Sequence, residues 1–178
     1  MPRFLLVYSS VTGNTRAVAE AVLPVMPSGT SIFRVQDAPD PAGFDFIALG
    51  FWVRRAAPDP LMLDYMARIQ GKTVALLGTL AAWPDSPHAG KVLENAAKAL
   101  EGNRIVMNFL CQGKLSPQRM ALRQKTDSAG HPMTPERLAR LEEAAKHPDA
   151  QDFDRARQAM GAALSDFLHE RGIVPEVR

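Results

Sequence analysis

Apolar residues fall in short unbroken runs at five places along the chain, and between the runs they recur at helical spacing. Residues 4–8, Phe-Leu-Leu-Val-Tyr, are the first run. A run without alternation suits a strand covered on both faces, so a central strand is predicted there. Residues 15–23 then read as helix, with Val18 and Val22 one turn apart and Pro24 as the stop. A short second strand is expected at 31–35, followed by a turn-rich connection at 37–43. Phe46, Ile47, Ala48 and Leu49 carry a third strand across 44–51, and Pro58-Asp59-Pro60 precedes a helix at 61–69. Gly71 resets the chain before a fourth strand at 73–77 that reaches Gly78 and Thr79. A helix at 88–100 and a fifth strand at 104–110 complete the series. Alternating strands and helices of these lengths imply an α/β fold, an open parallel sheet with helices on both faces.

The pattern changes after Lys114. A short helix is expected at 117–125, irregular chain at 128–134, and a charged helix from Thr134 to about His147-Pro148. A final helix at 152–171 places Phe153, Ala156, Met160, Ala163, Leu164 and Phe167 on one face, which should cover the sheet. Residues 1–178 therefore read as a single domain with a helical C-terminal extension from about residue 115.

Length and composition agree with one core. The chain has 178 residues, 46% hydrophobic and 22% charged, enough apolar mass for one domain and too little for two comfortable ones. A net charge of +2 and a pI near 8.9 make it mildly basic. No Lys/Arg cluster interleaved with aromatics marks a nucleic-acid face. Cys111 is the one cysteine, which excludes an internal disulfide and a cysteine metal cluster and suits a reducing, cytoplasmic setting. The run after Arg3 is shorter than the roughly 7–15 apolar residues of a signal peptide. No stretch approaches the ~20 apolar residues of a membrane span.

The strongest chemical signal lies where the first strand hands over to the first helix. Ser10-x-Thr12-Gly13-x-Thr15 sets three hydroxyls and a permissive glycine before a helix start, where unpaired amides and the helix dipole favour an anion. The turn has neither the lysine of a Walker loop nor the early glycine of a dinucleotide fingerprint. An ordinary helix cap is the competing explanation. Two further loops carry the two tryptophans of the chain. Trp52, followed by Val53 and Arg54, closes the third strand, and Thr79, Leu80 and Ala81 lead to Trp83 and Asp85 after the fourth. Indoles at strand ends suit the stacking of a flat ring, although filling the core is the alternative. Cys111 reads as a buried structural thiol. His88, His131, His147 and His169 lack metal-ligand spacing, and no Cys-x5-Arg phosphatase loop opens the first helix. His88 with Asp85 is a minor candidate for proton delivery.

Over residues 4–110 the chain resembles the flavodoxin family of the short type. The resemblance implies a three-layer sandwich whose five parallel strands run in the order 2-1-3-4-5. It also implies noncovalent flavin mononucleotide (FMN) and electron transfer through the exposed ring edge to a redox partner protein. The phosphate would lie on Ser10, Thr12, Gly13, Asn14 and Thr15 and the backbone of Val11, and the ring between Trp52 and Trp83. Many members place a glycine in the middle loop, whose peptide flips against the ring; Val53 stands there and resists positive φ. Members that carry electrons are strongly acidic, whereas this chain is basic, so its partner is expected to be acidic. Asp85 near the ring would disfavour added negative charge. The segment Pro84-Asp85-Ser86-x-His88-Ala89, with the regions around Gly113 and His131, resembles flavodoxin-like proteins that accompany bacterial bilirubin reductases. Two other functions fit the same pattern. One is an FMN-dependent NAD(P)H oxidoreductase acting on a quinone or tetrapyrrole; the other is a cofactor-free binding module that keeps the fold.

Overall fold

Strand β1 (Phe4–Tyr8) lies between two parallel neighbours, and all five of its residues are buried. Its even and odd positions point to opposite faces. Phe4, Leu6 and Tyr8 join one hydrophobic cluster while Leu5 and Val7 join the other. The remaining strands are β2 (Ser31–Arg34), β3 (Phe46–Arg54), β4 (Ala57–Pro58), β5 (Thr73–Leu80) and β6 (Arg104–Gln112). The computed structural model describes residues 1–116, 118, 121 and 134–173.

The parallel path runs β2-β1-β3-β5-β6, with β4 paired antiparallel to β3. Once the two-residue β4 is set aside, this is the expected order 2-1-3-4-5; the sixth strand was not expected from the sequence. Helices α1 (Asn14–Val22) and α5 (Ala150–His169) cover one face through Val18, Val22, Met160, Ala163 and Phe167. Helices α2 (Pro60–Met66) and α3 (Pro87–Ala99) cover the other through Met62, Met66, Val92 and Ala96. Helix α4 (Pro135–Ala144) buries only Leu141 and Ala144 and lies beyond the sheet's carboxyl edge. Gln118 and Ala121 are helical; the other residues of the helix expected at 117–125, and the stretch 128–133 with His131, lie outside the described residues.

Three strands are longer than the apolar runs suggested. β3 continues through Trp52, Val53 and Arg54, β5 through Thr79 and Leu80, and β6 through Cys111 and Gln112. Trp52 pairs with Thr79, and Thr79 with Cys111, so each extension is held by its neighbour's ladder rather than by its own hydrophobicity. The correction matters for the site, because residues expected on loops stand on rigid strand ends. Helix α2 ends at Met66 rather than Ile69. Gly78, expected just past a strand end, lies inside β5, where a Cβ would meet Leu110 at 2.3 Å and the Phe51 ring at 2.8 Å. Only glycine fits between those side chains.

Candidate functional site

The carboxyl ends of β1, β3, β5 and β6 surround a cavity of about 950 Å³. That is the upper part of the ~300–1,000 Å³ range of small-molecule sites. Of the residues singled out in the sequence, Val11, Thr12, Asn14, Trp52, Val53, Thr79, Leu80, Ala81 and Trp83 line it. Both indoles therefore border one space. Trp52 is half-buried on β3, whereas Trp83 is 44% exposed at the rim. Ser10, Gly13, Thr15, Arg54 and Asp85 are not among the lining residues. Asp85 is exposed in the turn before α3 and Arg54 is exposed at the end of β3, so neither faces the cavity as expected.

The turn after β1 keeps part of its donor set free. Gly13 caps α1 with φ +88°, a conformation that glycine adopts without strain, and no side chain caps the helix. Helices α2, α3, α4 and α5 each have a side-chain cap, from Asp59, Ser86, Thr134 and Asp149 respectively. The first bond within α1 runs from Ala17 N–H to the Gly13 carbonyl, which leaves the amides of residues 14–16 without helical acceptors. Ser10 Oγ is buried without a hydrogen-bond partner. A buried hydroxyl in that condition is costly unless a ligand completes it.

Two other members of the turn brace it. Thr15 Oγ1 and Thr79 Oγ1 lie 2.8 Å apart in a buried pair that pins the start of α1 to β5. Two hydroxyls sharing one hydrogen bond retain one further proton between them, so Thr15 can still donate. Asn14 Nδ2 donates to the Lys114 carbonyl at 2.9 Å. Gly113 makes this possible, since a Cβ there would lie 2.6 Å from Asn14 Nδ2. Lys114 borders the cavity and also a smaller one of about 280 Å³ under Gly13 and Asn14. A lysine absent from the turn itself is thus delivered from the end of β6.

The loop between β3 and β4 is a two-residue hairpin in which Val53 pairs with Pro58 and Arg54 with Ala57. Arg55 and Ala56 take φ of 50° and 57°. Positive φ at both central positions matches the hairpin turn that normally demands Asn-Gly. Asn95 Nδ2 donates to the Ala56 carbonyl at 2.8 Å and holds the turn from α3. Left-handed backbone costs an L-residue roughly 1–2 kcal/mol, and glycine returns roughly 0.5–1 of that as lost chain entropy. Ala56→Gly should therefore stabilise the protein by about 0.5–1 kcal/mol in urea unfolding. A loss of stability would contradict strain at this turn.

Four cationic side chains line the cavity, from Arg55, Lys114, Arg137 and Arg140, and no carboxylate does among the described residues. The sequence reading missed them all. Lys114 was visible as Gly-Lys directly past a strand; Arg55 comes from the turn between β3 and β4, and Arg137 and Arg140 come from α4, whose position the sequence does not disclose.

What holds α4 in place is legible at its far end. Lys114 N–H donates to the His147 carbonyl at 3.0 Å, joining the α4–α5 turn to the end of β6. His147 Nδ1 lies 2.5 Å from Asp152 Oδ2, which also accepts the Asp149 amide at 3.0 Å. Arg155 binds the other oxygen of Asp152, and the Asp152 amide donates to Asp149 Oδ1 at 2.9 Å, forming a capping box. These contacts account for the grouping of His147, Asp149 and Asp152 within 4.8 Å without a metal. Burial alone would lower the His147 pKa, but its bonds to Asp152 and Glu143 and the nearby negative charges outweigh burial and raise it above 6.5. Asp152 is opposed by burial too, yet the bonds from His147, Asp149 and Arg155 bring it below 3.8. The histidine's contribution to stability is full below pH 6.5 and fades as pH rises through its raised value. The aspartate's is present above 3.8 and is lost as pH falls through its lowered value. The melting-temperature gap between the natural protein and His147→Gln should therefore be widest between pH 3.8 and 6.5 and shrink toward alkaline pH. A gap that does not vary with pH would contradict this assignment.

Cys111 is fully buried in β6, and burial pushes its thiol pKa strongly up, so it is unsuited to nucleophilic work. No helix among the described residues is long and apolar enough to cross a membrane.

Comparison with known proteins gives one answer. The chain is 27% identical over 159 residues to the flavodoxin-like domain-containing protein BilS of Clostridioides difficile, covering 85% of this chain and 90% of that protein. A flavodoxin from Streptococcus pneumoniae shares the fold with a TM-score of 0.59 at 12% identity, over 91% of this chain and 97% of that one. Flavodoxin 2 from Bacillus cereus does so with a TM-score of 0.58 at 17% identity, over 93% and 99%. A family model described as flavodoxin domain matches residues 5–161. With the strand order, the turn after β1 and the cavity at the strand ends, this match means that the chain belongs to the flavodoxin family.

Proposed function

We propose that the protein binds FMN in this cavity and passes electrons to a partner reductase. The observation that carries the reading is the buried, partnerless Ser10 Oγ beside the start of α1, which no side chain caps. Ser10, Thr12 and the amides of residues 14–16 would hold the phosphate, with Lys114 as its countercharge. Thr15 and Asn14 keep the turn in shape. Trp52 and Trp83 would flank the ring, while Val53, Leu80 and Ala81 exclude water from it. The flavin, when bound, supplies the electron storage, and the protein sets its surroundings. A cationic lining favours the negative charge that accompanies reduction, the opposite of the influence assigned to Asp85 from the sequence. The same charges, with Arg54 exposed nearby, suit an acidic partner whose association weakens with added salt.

The test is a titration of flavin-free protein with FMN, followed by tryptophan fluorescence and the flavin spectrum. Saturable quenching is expected, with Ser10→Ala and Lys114→Gln each weakening affinity about tenfold. An unquenched, colourless protein would leave only the cofactor-free module.

One observation favours the oxidoreductase as a second reading. Trp83 is 44% exposed, so the indoles do not close over the ring position, and the cavity of about 950 Å³ leaves one side open to a small acceptor such as a quinone or tetrapyrrole. Steady turnover with NAD(P)H and an acceptor, without a partner protein, would support it.

A further inference from the structure

A buried acid joins the end of β1 to the end of β3. Asp59 stands between Pro58, which closes β4, and Pro60, which opens α2. A proline holds the residue before it extended, and Asp59 has φ −61° and ψ 157°. Its amide donates to the Trp52 carbonyl at 3.0 Å. Its Oδ1 accepts from Ser9 Oγ at 2.8 Å and from the Met62 amide at 3.3 Å. Ser9 is fixed in turn by its amide, which donates to the Gly50 carbonyl at 2.8 Å. Ser9 directly precedes Ser10 of the phosphate turn, and Trp52 lines the cavity. Asp59 therefore sets two parts of the site relative to each other.

Capping α2 does not require an acid, since asparagine and serine cap helices as well as aspartate does. Asp149, which caps α5, is only partly buried, whereas Asp59 is 1% exposed. Asp59 Oδ2 is buried without a hydrogen-bond partner. A carboxylate with an unsatisfied oxygen in a dry site is expensive to keep. Burial pushes its pKa above 3.8, against the Ser9 hydroxyl and the backbone of Met62, Trp52 and Asp59 itself, which favour the charged form. These groups meet it from β1, from β3 and from its own helix, and among the described residues no charged side chain acts on it. Arg54 and Arg55 of the adjoining hairpin and Asp64 of α2 are exposed to solvent. The phosphate of FMN would bring negative charge to Ser10, next to the residue whose hydroxyl Asp59 holds. A like charge nearby disfavours ionisation of a carboxyl.

We propose that Asp59 is a positioning residue for the flavin, holding the phosphate turn through Ser9 against the Trp52 end of β3, and that its proton occupancy rises when FMN binds. The proton comes from solvent and ends on the carboxyl, and FMN keeps its composition. This rests on the flavin reading and adds a proton linkage to it.

The experiment titrates flavin-free natural protein, Asp59→Asn and Ser9→Ala with FMN by calorimetry, from about pH 4 to 8, in buffers of differing ionisation enthalpy. The buffer dependence reports the protons exchanged per FMN. Ionisation of the phosphate itself is common to all three proteins and cancels in the comparison. The natural protein should take up more protons than Asp59→Asn, by roughly a few tenths per FMN at the pH of largest difference. Its affinity should match that of Asp59→Asn at acid pH and fall up to about tenfold below it as pH rises through the raised Asp59 value. Ser9→Ala, which cuts the link to β1 but leaves the cap on α2, should weaken FMN binding about tenfold at every pH. Equal proton uptake by the natural protein and Asp59→Asn would overturn the proposal, as would unchanged affinity in Ser9→Ala. Natural protein that binds no FMN at any pH would instead remove the flavin reading, and this inference with it, at the first measurement.

Discussion

Replacing Phe167 by alanine is expected to remove about 3–5 kcal/mol of folding stability. Phe167 is 1% exposed on α5, and its ring meets Phe46 of β3 at 5.2 Å and 71° and Phe4 of β1 at 5.8 Å and 77°. These are edge-to-face contacts, which add to the area buried. The Arg171 guanidinium lies 3.9 Å from the ring centroid and seals the outer side. Truncation would open a void between helix and sheet that neither backbone can close, since β1 and β3 are paired on both sides. A domain of this size loses about 2–4 °C per kcal/mol, so the melting temperature should fall by roughly 6–20 °C. Phe167→Leu, which keeps most of the volume, should cost less than about 1.5 kcal/mol. The pair also tests the proposal that residues 1–178 form one folding unit. A single urea transition that shifts without changing slope would support it, and a separate transition for the C-terminal helices would contradict it.

Gly113→Val is expected to weaken FMN binding by about one to two orders of magnitude while leaving the protein folded. A Cβ at residue 113 would lie 2.6 Å from Asn14 Nδ2, 3.1 Å from its Cγ and 3.2 Å from its Cβ, so the whole Asn14 side chain must move. Asn14 is buried, and its Nδ2 bond to the Lys114 carbonyl ties the turn after β1 to the end of β6. Displacement would disturb the phosphate donors and withdraw Lys114 together. Gly113→Ala should have a smaller effect in the same direction. In the Asn14→Ala background the contacts at 2.6 and 3.1 Å are gone and only the one to the Cβ of residue 14 at 3.2 Å remains, so the two changes should be strongly non-additive. Additive effects would show that Gly113 acts by another route.

Much of the fold was visible in local pattern. The unbroken run at 4–8 required a strand covered on both faces, and Val18 with Val22, or Met160 with Phe167, required helices that cover it. Buried area is a property of individual side chains, so its periodicity survives in a one-dimensional string. The turn after β1 was legible for the same reason. Ser10, Thr12, Gly13 and Thr15 are near neighbours in sequence, and strand-to-helix geometry brings them together.

The longer strands and the cationic wall were not legible in that way. Trp52, Val53 and Arg54 do not read as buried strand, yet they remain extended because β4 folds back on them and β5 runs alongside. Arg55-Ala56 is a poor local match for a tight hairpin, and Asn95 on a different helix holds it. Asp85, adjacent to Trp83 in sequence, was expected at the ring but turns to solvent, since adjacency in a loop does not specify direction.

Sequence alone therefore determined the α/β alternation, the central strand and the hydroxyl-rich turn after β1, because each is set by residues within a few positions of one another. Tertiary structure decided the electrostatics of the site. Asn14 meets Lys114 across 100 residues of chain, and α4 swings Arg137 and Arg140 over the strand ends. The physical reason is that charge carries no periodic signature: a lysine or arginine reads alike on an outer surface or over a cavity, and only the packing of distant elements selects between them.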